Sequence, residues 1–441
     1  MDGRSLEWKQ LLPSPVRFLV HGGSDWLRDQ LTAIEPAPDA APVLMLWEPQ
    51  ENHLENVDEY RAFVAIRSRG LNLAALRTRG FRDIRRYAAF PSLQDCRWFI
   101  PLDSPRVAAV AFAIYTPYKR AARIKQTAVR TAARSGLPGW YRDEIIVAQR
   151  AFSPLQDLAT PNVGSRNSLH FVISTGTPGP TRKPTIAVLD DHGTHRGIIR
   201  VGESDIQRSL IANEAAMLRM LAEVRGLQGH VPSLLAHVDD GTRLITLQSV
   251  VSGKPAPANL TTSHHELLSR LQLPSRKPAL STAFMEALPD RVQSASADIQ
   301  PIARAALRRS QSLLDSLEVS PTINHGDFAP WNLRVTRASI AAFDWEYGLI
   351  DGLPLLDEIH HQFQTDFLLH GATMRQVLNR LRVQRVTRHH GYTHNHLLGL
   401  QTTYALHHLV QRRELGYHRS DTLTTRLLEV LTALGAEETS A

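Results

Sequence analysis

The sequence predicts an α+β protein with a small antiparallel-sheet lobe over residues 161–260, a mainly helical large lobe over 261–441, and an additional N-terminal α/β region over 1–160. Three observations carry this reading. Short apolar runs bounded by turn residues cluster before residue 255, one strongly periodic helix interrupts them, and from about residue 261 the 3.6-residue period takes over.

The small lobe is the clearest segment. "LHFVIST" (169–175), "PTIAVLD" (184–190) and "GIIRVG" (197–202) read as strands, joined by "GTPGPTRK" and the turn "DDHGTH". The helix "SLIANEAAMLRMLAEV" follows, with Leu210, Glu214, Met217, Leu218 and Leu221 spaced to cover one face. Two more strands then flank the tight turn at Asp240 and Gly241. In the N-terminal region "VRFLVHG" and "PVLMLW" read as strands, and "VDEYRAFVAIRSRGLNLAALR" as a surface helix. "VHGGSD" (20–25) lacks the glycine spacing of a dinucleotide fingerprint and reads as a turn. In the large lobe "PIARAALRRSQSLLDSLE", "LPLLDEIHHQFQTDFLL", "MRQVLNRLRV", "NHLLGLQTTYALHHLVQRREL" and "LTTRLLEVLTALG" read as helices, and "LPSRKPALST" and "PDRVQSASADIQP" as turns or insertions.

Composition narrows the class. With 441 residues, 43% hydrophobic and 21% charged, the chain builds cores rather than a disordered tail. The single cysteine, Cys96, excludes an intramolecular disulfide and a multi-cysteine zinc site. No basic segment followed by a long apolar run opens the sequence, and "AAVAFAIY" (108–115) is far shorter than the roughly 20 residues of a membrane span, so a cytoplasmic protein is expected. Composition sets no oligomeric state.

The formal charge of +7 favours anionic partners. It concentrates where Ser104 to Arg142 carries no acidic residue. There residues 119–134 read as a basic helix bearing Lys119, Arg120, Arg123, Lys125, Arg130 and Arg134, with Ala121, Ile124, Ala128 and Ala132 as its apolar side. A solvated helix packed on its own domain is the leading reading, followed by a docking surface for an anionic partner. A mostly alanine face anchors poorly in a membrane. No recognition motif or aromatic interleaving points to nucleic acid.

Two stretches carry chemistry. "INHGDFAPWNLRV" (323–335) holds His325, Asp327 and Asn332, and "IAAFDWEYG" (340–348) runs an apolar strand into Asp344. Magnesium takes oxygen ligands from carboxylates and amides, and phosphoryl transfer also needs one carboxylate free of metal to orient the acceptor hydroxyl. In that division Asp327 faces the acceptor, while Asn332 and Asp344 serve the metal. "LRVTRASIAAF" between them reads as a hairpin that brings the two ligands close.

"HGDFAPWN" followed by "AAFDWEYG" resembles the catalytic and metal motifs of the aminoglycoside phosphotransferase and choline kinase group, whose fold is similar to that of protein kinases. The resemblance spans roughly 165–370 and leaves 1–160 outside. It implies a bilobal fold, ATP and Mg2+ as cofactors, and a small hydroxyl-bearing substrate such as an aminoglycoside, amino alcohol or sugar. It gives Asp327 the base or hydroxyl-orienting role, Asn332 and Asp344 magnesium binding, His325 the support of the catalytic loop, and Asp357 in "DGLPLLD" a structural role. "NEAAMLRML" is similar to the helix whose glutamate, Glu214, pairs with a basic residue on the third strand. That residue is Arg200 here, where the family has lysine, and the wider guanidinium fork changes how phosphates are held. "STGTPGPTRKP" takes the place of the phosphate-covering loop, with Arg182 or Lys183 near phosphate. "LITLQSVVSGKP" resembles the hinge, which places adenine near Gln248 to Val250 and under Val188 and Ile199. Asp357, Glu358 and Asp366 are expected to suit a cationic or polyhydroxyl acceptor. The Arg200 departure keeps open a second reading, an inactive nucleotide-binding pseudokinase acting as a binding or regulatory module.

Overall fold

The structure is a computed structural model that describes residues 4–21, 41–49, 57–67, 71–113, 120–136, 139–163, 168–336, 339–387 and 391–436. The glycine pair of "VHGGSD" and Lys119 lie outside the described residues. The chain forms two compact units, one of residues 1–211 and 233–250, the other of 212–232 and 251–441.

The first unit is built on one 11-stranded sheet. Its strands are β1 (Val16–His21), β2 (Ala41–Trp47), β3 (Ala62–Ile66), β4 (Asp83–Phe90), β5 (Trp98–Pro101), β6 (Asp143–Gln149), β7 (Leu169–Ser174), β8 (Thr185–Asp190), β9 (His195–Gly202), β10 (Leu234–Asp239) and β11 (Leu244–Gln248). They lie in the order β1-β2-β3-β6-β4-β5-β7-β8-β9-β11-β10. β1, β2 and β3 run parallel, and every other neighbouring pair is antiparallel. The strands of residues 1–160 therefore continue the sheet of the small lobe through the β5–β7 pairing, where Phe99 meets Ile173.

Alternation of side chains covers both faces. Val64 and Val147 point to one apolar cluster, which also takes Trp8, Phe99, Phe171, Val188, Ile199 and Leu247, whereas Phe63, Ala65, Ile146 and Ala148 join another under Leu76 and Phe81. This explains a correction at "VDEYRAFVAIRS". Among the described residues the segment forms no long surface helix; it opens with a 3-10 turn at Val57–Glu59 and contributes β3, with all five residues buried, and α1 (Leu73–Thr78) lies behind it. A central strand covered on both faces shows no polar alternation, so its period is hidden.

Helices α2 (Pro105–Ala111), α3 (Arg120–Arg134) and α4 (Pro154–Asn162) flank the sheet, and α5 (Asp205–Glu223) follows β9. On α3 the packed side differs from expectation. Ala133 is buried, and Gln126 donates to the Phe112 carbonyl at 2.5 Å, while Ile124 is 72% exposed and Ala121 and Ala128 face solvent with the basic residues.

The second unit is mainly helical: α6 (Thr262–Arg270), α7 (Ala283–Gln293), α8 (Gln300–Leu314), α9 (Leu356–Gln364), α10 (Met374–Thr387), α11 (His394–Glu414) and α12 (Thr422–Ala436). α7 runs through Pro289, so the segment read as an insertion from 289 begins as helix. α11 is the central element, buried from Leu397 to His407, against Leu314 of α8 and Leu431 of α12. Its buried hydroxyls return to their own helix, Thr402 to the Leu398 carbonyl at 2.8 Å and Thr403 to that of Gly399 at 2.9 Å. Short strands β12 (Lys254–Pro255), β13 (Lys277–Pro278), β14 (Glu318–Val319), β15 (Thr322–Asn324), β16 (Leu333–Val335), β17 (Ile340–Ala342) and β18 (Leu349–Gly352) frame the polar loop that follows β15.

Among the described residues no helix is long and apolar enough to cross a membrane.

Candidate active site

The loop from His325 to Asn332 is held by its backbone first. After β15 the chain turns at Gly326, whose φ of +78° and close approach to the Tyr347 carbonyl leave no space for a Cβ. Asp357, at the start of α9, accepts from the His325 amide at 2.8 Å and the Gly326 amide at 3.1 Å. Its carboxyl is 2% exposed. Burial raises its pKa above the ordinary range, against the opposing pull of His325 and these backbone donors.

His325 is fully buried, tilted against Trp345 with ring centroids 4.5 Å apart. Its Nε2 donates to the Phe343 carbonyl at 2.9 Å and its Nδ1 accepts from the Asp327 amide at 3.2 Å. Both ring nitrogens thus meet backbone groups, and the ring links the loop to the end of β17.

The Asp327 side chain is about one-quarter exposed. Its Oδ2 accepts from Asn332 Nδ2 at 2.8 Å, and its Oδ1 accepts from His360 Nε2 at 2.8 Å. Asn332 also donates Nδ2 to the Asp327 carbonyl at 3.0 Å. With the amide nitrogen committed in this way, the amide oxygen is the atom turned to any other partner. The β16–β17 hairpin pairs Leu333 with Ala342, and the Phe343 amide donates to the Asn332 carbonyl at 3.0 Å. Asp344 is the next residue, held at a left-handed φ of +71° that a short polar side chain tolerates. The structure thus brings Asp327, Asn332, His325 and the chain leading into Asp344 together within one unit. Asn213 of α5, beside Glu214, donates to the Glu346 carbonyl at 2.9 Å and so ties that helix to the segment after Asp344.

A hard dication takes oxygen ligands, and the Asn332 amide oxygen with the Asp344 carboxylate is such a pair. Among the described residues no group of three or more His, Cys, Asp or Glu could hold a metal ion.

The residues expected from the sequence on the nucleotide side divide between the units: Arg200, Gln248 and Val250 lie in the first, and Glu214 in the second. Arg200 on β9 is 9% exposed and donates Nη1 to Thr185 Oγ1 at 3.0 Å. Glu214 is fully buried on α5, Gln248 ends β11 opposite Ile198, and Val250 is half-buried beyond it. Val188 and Ile199 are core residues of the sheet. Arg182 is committed elsewhere, donating to Glu7 Oε1 at 2.5 Å and to the Thr175 carbonyl at 3.2 Å.

Two carboxylates expected at an acceptor pocket have structural partners. Asp357 holds the loop, and Asp366 is buried and paired with Arg380. Of the two adjacent histidines on α9, His361 is a packing residue, buried beside His264 and Phe328, with its pKa pushed down to about 3 by burial and then by the neighbouring His264. His360 is instead a partner of Asp327. The available signal was its spacing, three residues after Asp357 and so on the same helix face.

Residues 179–357 match the model of the "Phosphotransferase enzyme family". No curated protein sequence matches the chain. Among solved structures, a thermostable mutant of aminoglycoside phosphotransferase APH(4)-Ia in ternary complex with ADP and hygromycin B is 14% identical, with a TM-score of 0.47 and coverage of 64% of this chain and 98% of its own. Choline kinase from Cryptosporidium parvum Iowa II is 9% identical, at a TM-score of 0.41 over 72% of this chain and 96% of its own. A choline/ethanolamine kinase family protein from Mesorhizobium loti is 17% identical, at a TM-score of 0.36 over 60% and 87%. The family match covers the loop, the hairpin and Asp357.

Proposed function

We propose that the chain transfers the γ-phosphoryl group of ATP to a hydroxyl of a small molecule. The observation that carries this is the Asp327–Asn332 pair, in which the amide nitrogen fixes the carboxylate at 2.8 Å and leaves the amide oxygen for another partner. Asp327 accepts the hydrogen bond of the acceptor hydroxyl and aims its oxygen at the γ-phosphorus. The new O–P bond forms as the bond to the bridging oxygen breaks, the hydroxyl proton passes to the Asp327 carboxylate and on to solvent, and ADP leaves. Asn332 and Asp344 would hold a magnesium ion, which would supply charge neutralisation at the phosphates. Positioning and electrostatics do most of the work in such a reaction, so the braces on the loop matter as much as the carboxylate. An amino alcohol, an aminoglycoside and a sugar all carry the required hydroxyl.

The test is a mass-spectrometric screen of metabolites with magnesium-ATP, run with wild type and Asp327→Asn. Product in the wild type alone is expected; product in both removes the role given to Asp327. Arg200 favours a second reading, since the lysine of the family is replaced and its Nη1 is engaged by Thr185 at 3.0 Å. Measurable ATP binding without magnesium-dependent product from any acceptor would mark a nucleotide-binding module.

A further inference from the structure

The helix that braces the loop also reaches the reacting carboxylate. Asp357 and His360 lie three residues apart on α9, hence on one face, and both face the loop. Asp357 takes the backbone amides of His325 and Gly326, and His360 Nε2 takes Asp327 Oδ1 at 2.8 Å. Because the carboxylate only accepts, Nε2 carries the proton and Nδ1 of a neutral ring is an acceptor.

That acceptor has its own buried partners. The Tyr404 hydroxyl lies 3.3 Å from His360 Nδ1, and His408 Nε2 lies 3.2 Å from it. Tyr404 and His408 stand four residues apart on α11, on one face. Tyr404 is 2% exposed and His360 3% exposed. Burial, then the charges of Asp327 and Asp357, holds the phenol well above its usual range, so it remains a donor.

We propose that His360 is a positioning residue for Asp327, with Nε2–H fixing Oδ1 and with Tyr404 and His408 locking the imidazole. This rests on the reading of Asp327 as the hydroxyl-orienting group. Asn332 holds Oδ2 from the 330–332 turn and His360 holds Oδ1 from α9, so the carboxylate plane is set by two separate elements. Without His360 one oxygen loses its donor, the plane is free to rotate, and fewer encounters place the hydroxyl in line.

Two measurements test it. In steady-state assays of ADP release from magnesium-ATP with water as the hydroxyl, His360→Leu removes the donor at similar volume and His360→Gln restores an N–H. The expected result is a kcat about 10- to 100-fold lower for His360→Leu, as for a lost hydrogen bond to a charged group, measured below the thermal transition with KM for ATP unchanged, and most of kcat recovered in His360→Gln. A kcat unchanged in His360→Leu, or equally impaired in both variants, overturns the proposal. The second measurement is free of turnover: 15N-edited NMR of histidine side chains in the full chain, with the His360 signal assigned by its absence from His360→Gln. An Nε2–H tautomer is expected, and an Nδ1–H tautomer overturns the inference. If Asp327→Asn turns over normally, the catalytic reading falls while the tautomer result still reports on the contact.

Discussion

Acids of the sheet unit and acids at the loop of the helical unit are held in different ways. In the sheet unit carboxylates meet arginines: Asp143 takes Arg67 at 2.8 Å, Glu144 takes Arg86 at 2.8 Å and Asp190 takes Arg196 at 2.7 Å. At the loop of the helical unit Asp327 takes an imidazole and an amide, and Asp357 takes two backbone amides. A full guanidinium partner neutralises an acid and closes a local structure. Imidazole and amide donors orient the acid and leave lone pairs for a substrate hydroxyl. Asp366 of the helical unit, paired with Arg380, follows the arginine pattern, so the contrast sets the loop acids Asp327 and Asp357 apart from acids closed by a guanidinium.

That separation breaks most readily at Asp327. Asp327→Asn is expected to lower kcat by roughly 10²- to 10⁴-fold with ATP binding retained, checked by steady-state kinetics and calorimetric titration. In the sheet unit the largest expected effect is on stability alone. Phe63→Ala, at a fully buried site on β3, is expected to cost about 3–5 kcal/mol in urea denaturation while kcat stays near wild type below the transition. A structural acid of the helical unit lies between these cases. Asp357→Ala leaves the His325 and Gly326 amides without their acceptor and is expected to lose about 3 kcal/mol and most turnover together.

Acid sharpens the contrast further. The pKa of His361 is lowered to about 3 and that of His264 to about 4, burial being the leading cause in both. A lowered folded value means that the unfolded chain binds the extra proton, so their contribution is full above about 6.5 and is lost as pH falls toward 3 and 4, at up to about 1.4 kcal/mol per pH unit each. In the sheet unit His195 is lowered and His170 raised, so these two act in opposite directions. Asp190 is lowered despite burial, by the Thr194 and His192 amides and Arg196, and its contribution persists until pH falls below the ordinary carboxylate value. Hydrogen exchange followed from pH 7 to 5 should therefore show the helical unit loosening first. The smallest expected effect is at Ile124 on α3: Ile124→Ser, at a site 72% exposed, should change stability by less than about 0.5 kcal/mol.

Much of this was legible from order along the chain. The strand runs at 169–202, the periodic helix that follows and the strands around Gly241 all stand where their patterns put them, because each carries its own period and turn residues. The hairpin between Asn332 and Asp344 was legible for the same reason. β3 was not, since burial on both faces erases alternation, nor was the packed side of α3, where alanines offered equal claims to two faces. Asp366 looked like a free acid until the fold placed Arg380 beside it.

Asp327, Asn332 and Asp344 sit within 18 residues of one another, and a loop followed by a hairpin is enough to gather them, so residue type and spacing carried that part. His360, Tyr404 and His408 reach Asp327 only through the packing of α9 and α11, elements separated from the loop by tens of residues. A contact of that kind depends on how helix faces meet, and local pattern holds no record of it.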